Sequence, residues 1–350
     1  MKFVFPLGCV ALLAAVAWPK TSSAEPHSHQ DAPHESHLPS RFYQTLDLEA
    51  VREAVSLQAR ATSRTNMALR MSPNERLGEL LFASSEIQRA KKLLPRDRDI
   101  HWASIEISDL LYATSEPAER PLRRERLRDE LLAFRANHPS DNADLIAFHL
   151  AILAIQDGRY ADAIPEYQRV LETTRDRGLQ QMTLANLGEA FMLAGDLDAS
   201  TQAFERALLH AEQHAITPRS RTLVLIGAAV AFDRLGDEAR AIELASQARA
   251  LAGGELTVLR DPSVFFEPEG EIAIYDYLSA MARARSAENE SERRDAMHRA
   301  LFALQTFLEI AETSPYRDHA KARLETLSRW LEAADNGRRG RARPLPQPSE

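Results

Sequence analysis

Residues 184–208 read LANLGEAFMLAGDLDASTQAFERAL, and this stretch decides the fold. Its first half is a helix of small and apolar residues containing Gly188 and Phe191. Gly195-Asp196 is a turn, and the second half is a helix marked by Ser200, Phe204 and Ala207 at helical spacing. A unit of two short helices cannot bury its apolar face alone. It must stack on copies of itself, so the repeat predicts the architecture.

Copies flank it on both sides. Upstream, Ala151, Gly158, Tyr160, Ala163, Tyr167 and Val170 repeat the phrase; downstream, Ala229, Phe232, Gly236, Asp237, Ala241, Ala245 and Ala248 do so. The spacings are 188 − 151 = 37 and 229 − 188 = 41 residues. The chain here resembles the tetratricopeptide repeat family, a helix-turn-helix unit of about 34 residues. Ser200 stands where that family usually has alanine, and the extra residues fall in the links Thr173–Gly178 and Ala211–Pro218. A looser copy spans Ile272–Ile310, with Ala296, Ala300 and Ala303 in its second helix, and 99–137 reads as a degenerate first copy. A helix over His319–Ala334 caps the array. The fold expected is therefore all-α, a right-handed solenoid of antiparallel helix hairpins. Two links, Ala136–Ser140 and Thr313–Ala320, are similar to links in periplasmic envelope-assembly members of the family.

The resemblance implies a concave groove lined by the first helix of each unit, a surface that binds an extended peptide. Carried onto this chain, the groove positions include Phe148, Ile152, Met182, Asn186, Glu189, Met192, Ile226 and Val230, with Leu145, Ala185, Leu223 and Asp233 beside them. No lysine or arginine falls where the family's carboxylate clamp would be, so an acidic peptide end is not the expected ligand. Leu145–Ile155 and Thr222–Phe232 are apolar nearly all round. Such helices are buried on every side, so either a partner fills the groove or the chain covers it, through residues 41–95 or a second copy in a homodimer.

The ends of the chain read differently. Residues 1–24 have the form of a signal peptide: Lys2, an apolar run from Val4 to Trp18, and Ser22-Ser23-Ala24 as the cleavage site. Cys9, the only cysteine, lies inside the apolar run, so the mature chain has neither disulfide nor thiolate ligand. The expected location is the periplasm or outside the cell, with no membrane span left after cleavage. Residues 25–40 combine prolines with His27, His29, His34 and His37 and are too polar to fold. Residues 41–95 are helical without the repeat signature, 96–335 carry the repeats (clearest at 144–250), and 336–350 form a basic, proline-containing tail.

Charge narrows the function. The formal charge is −8, or −10 once Lys2 and Lys20 are removed, which argues against nucleic-acid binding. The four N-terminal histidines suit zinc or copper, and metal handling by this arm docked on a helical platform is the rival function. His210 and His214 share a helix face but lack the order of a zinc protease; His149 sits in an apolar helix as a core residue. Asp97, Asp99, Glu106 and Asp109 read as cap and surface carboxylates, and the run Arg120–Arg128 pairs with its interleaved acids along a solvated face. No nucleotide, nucleophile or metalloprotease motif occurs. The expected function is a noncatalytic scaffold for another envelope protein or peptide, with no resident cofactor.

Overall fold

The computed structural model describes residues 47–254, except 215, and residues 270–336. Among these are thirteen helices and no strand. The expected signal peptide (1–24), the histidine-bearing segment with His27, His29, His34 and His37, and the tail beyond 336 lie outside the described residues. The helices fall into two compact units that divide between Asp141 and Asn142.

The first unit holds α1 (Leu48–Ala68), α2 (Pro73–Leu93), α3 (Arg98–Thr114) and α4 (Arg120–Asn137). Each packs on the next, α1 and α2 forming one hairpin. Asp47 and Asp97 begin α1 and α3 by accepting hydrogen bonds from the backbone amides two and three residues on, which satisfies donors the first turn leaves orphaned. Pro73 opens α2, where its missing N–H costs nothing. The core is a seam of alanines and branched aliphatics, including Ala54, Leu57, Ala61, Leu80, Ala83, Ile87 and Ile100. Arg64 joins α1 to Glu79 and Glu86 of α2 at 2.8 and 3.2 Å. The arginines of α4 pair locally as the spacing predicts, Arg123 with Glu119 and Arg128 with Glu125.

The second unit runs α5 (Ala143–Gln156), α6 (Tyr160–Thr173), α7 (Arg177–Ala194), α8 (Leu197–Gln213), α9 (Pro218–Leu235), α10 (Glu238–Leu251), α11 (Glu271–Arg285), α12 (Glu290–Ile310) and α13 (Arg317–Asn336). Successive helices pack as hairpins and each hairpin packs on the next. The first helices of neighbouring hairpins also meet, α7 with α9 and α9 with α11. This is the arrangement of a helical repeat.

The Gly-Asp turns explain themselves chemically. Gly195 and Gly236 have φ of 90° and 98°, a region that penalises a side chain. The left-handed residue lets Gly195 N donate to Met192 O and Asp196 N to Phe191 O; Gly236 and Asp237 repeat this with Asp233 O and Phe232 O. These bonds satisfy the last carbonyls of α7 and α9. The aspartates then cap α8 and α10 by accepting from Ala199 N and Arg240 N at 3.0 Å each. One two-residue phrase thus ends one helix and starts the next.

Phe204 shows why the repeats stack. It is 3% exposed and wedges between two helix backbones. A Cβ placed on Gly188 of α7 would lie 2.8 Å from its ring, and one on Gly227 of α9 only 2.7 Å. Both glycines exist to admit the ring. Ser200 adds a bond, donating from its hydroxyl to Gly188 O at 2.7 Å, a use alanine at that position would not have. In the preceding hairpin Tyr167 is fully buried, its ring 5.9 Å from that of Phe148.

Candidate functional site

The first helices of the hairpins carry the expected groove residues, and most of these are sealed. Phe148, Ile152, Met192, Ile226 and Val230 are 2%, 5%, 3%, 0% and 0% exposed. An open apolar groove at those five positions is therefore not what the fold presents. The side chains belong to the core, as expected for helices that are apolar all round. Met182, Asn186 and Glu189 remain half-buried. Their spacing places them on one stripe of α7, a narrow, mixed polar and apolar face.

That stripe leads toward the C-terminal ends of α7 and α9, where a polar cluster is built from four elements. Asp233 and Arg234 come from the last turn of α9, Glu271 from the first turn of α11, Tyr316 from the link before α13, and His319 and Arg323 from α13 itself. Arg234 forms an ion pair with Glu271, the two side chains being 1% and 4% exposed. Glu271 gains further from its place at a helix N-terminus, where the dipole favours a carboxylate. The Tyr316 ring lies over the Arg234 guanidinium, 3.9 Å from its carbon to the ring centroid, a cation–π contact strengthened by burial. The Tyr316 hydroxyl donates to Met192 O, a carbonyl of the last turn of α7. On the other side of Asp233, His319 Nε2 approaches Oδ2 at 2.8 Å and Arg323 Nε approaches Oδ1 at 3.1 Å. Arg323 also reaches Glu238 Oε2 at 2.7 Å.

The electrostatics of this cluster show in its phenols. Burial, with Glu189 and Glu271 adding negative field, pushes the Tyr160 hydroxyl above its ordinary pKa. Tyr277 is raised further by burial and by Asp233 and Glu238. Tyr316 is also raised by burial, with Arg234 pulling against that shift. All three stay protonated, and Tyr316 uses its proton in the bond to Met192 O. Arg234 Nη1 and Glu271 Oε2 are buried without a hydrogen-bond partner in the protein, an unmet donor and acceptor side by side on one ion pair. What the cluster presents is a set of hydrogen-bonding and charged groups.

Elsewhere the candidate side chains take structural places. His149 is 6% exposed, and burial lowers its pKa to about 4, so it is a neutral core residue. His210 faces the Gln181 side-chain oxygen at 2.9 Å, and its ring stacks edgewise on His214 at 4.3 Å. Asp97 is a helix cap and Asp99 pairs with Arg98. Asp109 corrects the surface reading: it is 3% exposed, and burial, with a contribution from Glu106, raises its pKa to about 7. It lies one turn after buried Ile105, on the inward side of α3. Among the described residues no group of three or more histidine, cysteine or acidic side chains is placed to hold a metal, and no helix is long and apolar enough to cross a membrane.

The repeat pattern places Asp233 beside the groove but misses Arg234, Glu271, Tyr316, His319 and Arg323 as one site. Partners 37 and 82 residues apart leave no local signal; only the spacing of Tyr316, His319 and Arg323 on one helical face hints at a shared surface. The chain matches no protein-family model and no curated protein sequence.

Proposed function

We propose that this chain is a noncatalytic scaffold of the tetratricopeptide type, exported from the cytoplasm, that binds a protein or peptide of the cell envelope on the first helices of its second unit. The observation that carries the reading is the half-buried stripe Met182, Asn186 and Glu189 on the central hairpin, which runs into a preformed set of hydrogen-bonding groups at the ends of α7 and α9. The sealed core supports it too. The stack is rigid where Phe204 locks α7 to α9, so the stripe is presented in a fixed geometry and little ordering entropy is spent on binding.

A photo-crosslinking amino acid at Asn186, in protein expressed with residues 1–24 in the native organism, tests this. A discrete adduct is expected at 186, none at the exposed control position Gln202 on α8, and loss of the adduct with Glu189→Arg. Equal labelling at both positions, or none at 186, refutes the reading. Export is checked separately by the N-terminus of the purified protein, expected at Glu25.

A further inference from the structure

We propose that the segment from Tyr316 to Arg323 is a built-in occupant of a docking site at the C-terminal ends of α7 and α9, and that the partner is an amphipathic helix with an aromatic hydroxyl and bases three and seven residues after it. The inference rests on the scaffold reading and names the chemistry of what the scaffold takes.

The contacts made by this segment are mainly polar, Tyr316 and Ala320 being its side chains on the apolar core. Tyr316, just ahead of α13, and His319 and Arg323 within it are spaced i, i+3 and i+7, so they lie on one side of the start of the helix. That face points at the ends of α7 and α9 and the start of α10, donating to Met192 O and pairing with Asp233 and Glu238. The site beneath is an acceptor surface: two carboxylates, helix-end carbonyls, and the flat Arg234 guanidinium on which an aromatic ring lies. Any helix that supplies the same donors and ring satisfies it equally.

The hold on the segment is light. Within 316–323 only Ala320 is buried, while the later turns of α13 anchor the helix through Leu327 and Leu331, with Leu324 and Trp330 packed against the same core. A segment at the start of a terminal helix, with one buried apolar side chain, belongs to the low-stability end of a structure and opens before the rest. What its opening exposes cannot be left bare. Asp233 is 2% exposed, and Arg234 and Glu271 already have one unmet polar atom each. Uncovering them creates a demand for a new partner. Tethering explains why the site is normally shut, since a linked segment acts at an effective concentration on the order of millimolar, which a free peptide at micromolar concentration does not outcompete.

The test uses the full chain and a labelled synthetic peptide spanning residues 312–336. In fluorescence anisotropy the peptide is expected to bind the Tyr316→Ala/Arg323→Ala protein at least about tenfold more tightly than wild type, because the tethered competitor is weakened. Adding Asp233→Asn to the variant is expected to abolish that gain. Equal binding to wild type and variant, no binding to the variant, or indifference to Asp233→Asn overturns the proposal. If the double variant loses helicity beyond α13, Tyr316→Phe replaces it, with hydrogen exchange as the readout. Exchange in α13 should then quicken while α12 stays unchanged, and an unchanged α13 overturns the proposal. A silent crosslink at 186 with peptide binding intact would fault the envelope scaffold alone; the reverse outcome would fault the strap alone.

Discussion

Gly188→Ala should destabilise the protein, although alanine is the better helix former. Replacing an interior helical glycine gains up to about 1 kcal/mol from propensity. At Gly188, however, the new Cβ would sit 2.8–2.9 Å from three carbons of the Phe204 ring. The ring cannot retreat, because Gly227 of α9 holds its other side, where a Cβ would meet it at 2.7 Å. Overpacking of this kind costs roughly 1–3 kcal/mol, so the net loss is up to about 2 kcal/mol once the propensity gain is set against it. Gly78 is the control: it lies in the interior of α2, and a Cβ added there would meet nothing within 4 Å, so Gly78→Ala should stabilise by up to about 1 kcal/mol. Urea titration followed by tryptophan fluorescence separates the two, because Trp102 lies in the first unit and Trp330 in the second. Phe204→Leu should shrink the penalty of Gly188→Ala, a coupling that a double-mutant cycle detects. Stabilisation by Gly188→Ala equal to that by Gly78→Ala would refute the wedge.

Burial lowers the pKa of His149 to about 4, below its unfolded value of about 6.5. The unfolded chain therefore takes up the proton first, and the second unit should lose roughly 3 kcal/mol as pH falls from 7 through 4. His149→Leu should flatten that slope in the Trp330 signal. Asp109 has the opposite sign: its pKa is raised to about 7, so the folded state keeps the proton and the first unit loses roughly 4 kcal/mol as pH rises from 4 through 7. Asp109→Asn should remove this from the Trp102 signal, and pH profiles of the same sign in both units would contradict one of the two assignments, the flattened or unchanged variant showing which. Arg234→Met should cost about 3–5 kcal/mol by stranding the Glu271 carboxylate, and Arg234→Met/Glu271→Leu should recover most of it; a double variant no better than the single would count against a desolvated pair. Asp196→Ala should cost about 1 kcal/mol through the lost cap of α8, measured by the same titration.

Much of the fold was legible because its determinants are local. The Gly-Asp phrase encodes a left-handed residue and a capping carboxylate within two positions, and both Gly195-Asp196 and Gly236-Asp237 act as such. The apolar helices around Phe148 and Ile226 announced their own burial by having no polar side. The capping helix was also readable, but its second role was not. That role depends on Tyr316 meeting Met192 across 124 residues and on His319 meeting Asp233 across 86, pairings no periodicity records. Asp109 misled because an aspartate on a helix usually caps it or faces water; its register one turn after Ile105 turns it inward. Gly227 gave no sign of matching Gly188, since the shared constraint is one ring lodged between two helices.

The crosslink at Asn186, followed while the C-terminal strap is loosened by Arg323→Ala, is the most direct trial of a docking face closed by the chain's own helix. If the stripe on α7 and the acceptor groups at the helix ends form that single face, adduct yield at 186 rises in the variant and falls again when Asp233→Asn is added. A yield that stays level or drops when the strap is loosened contradicts it.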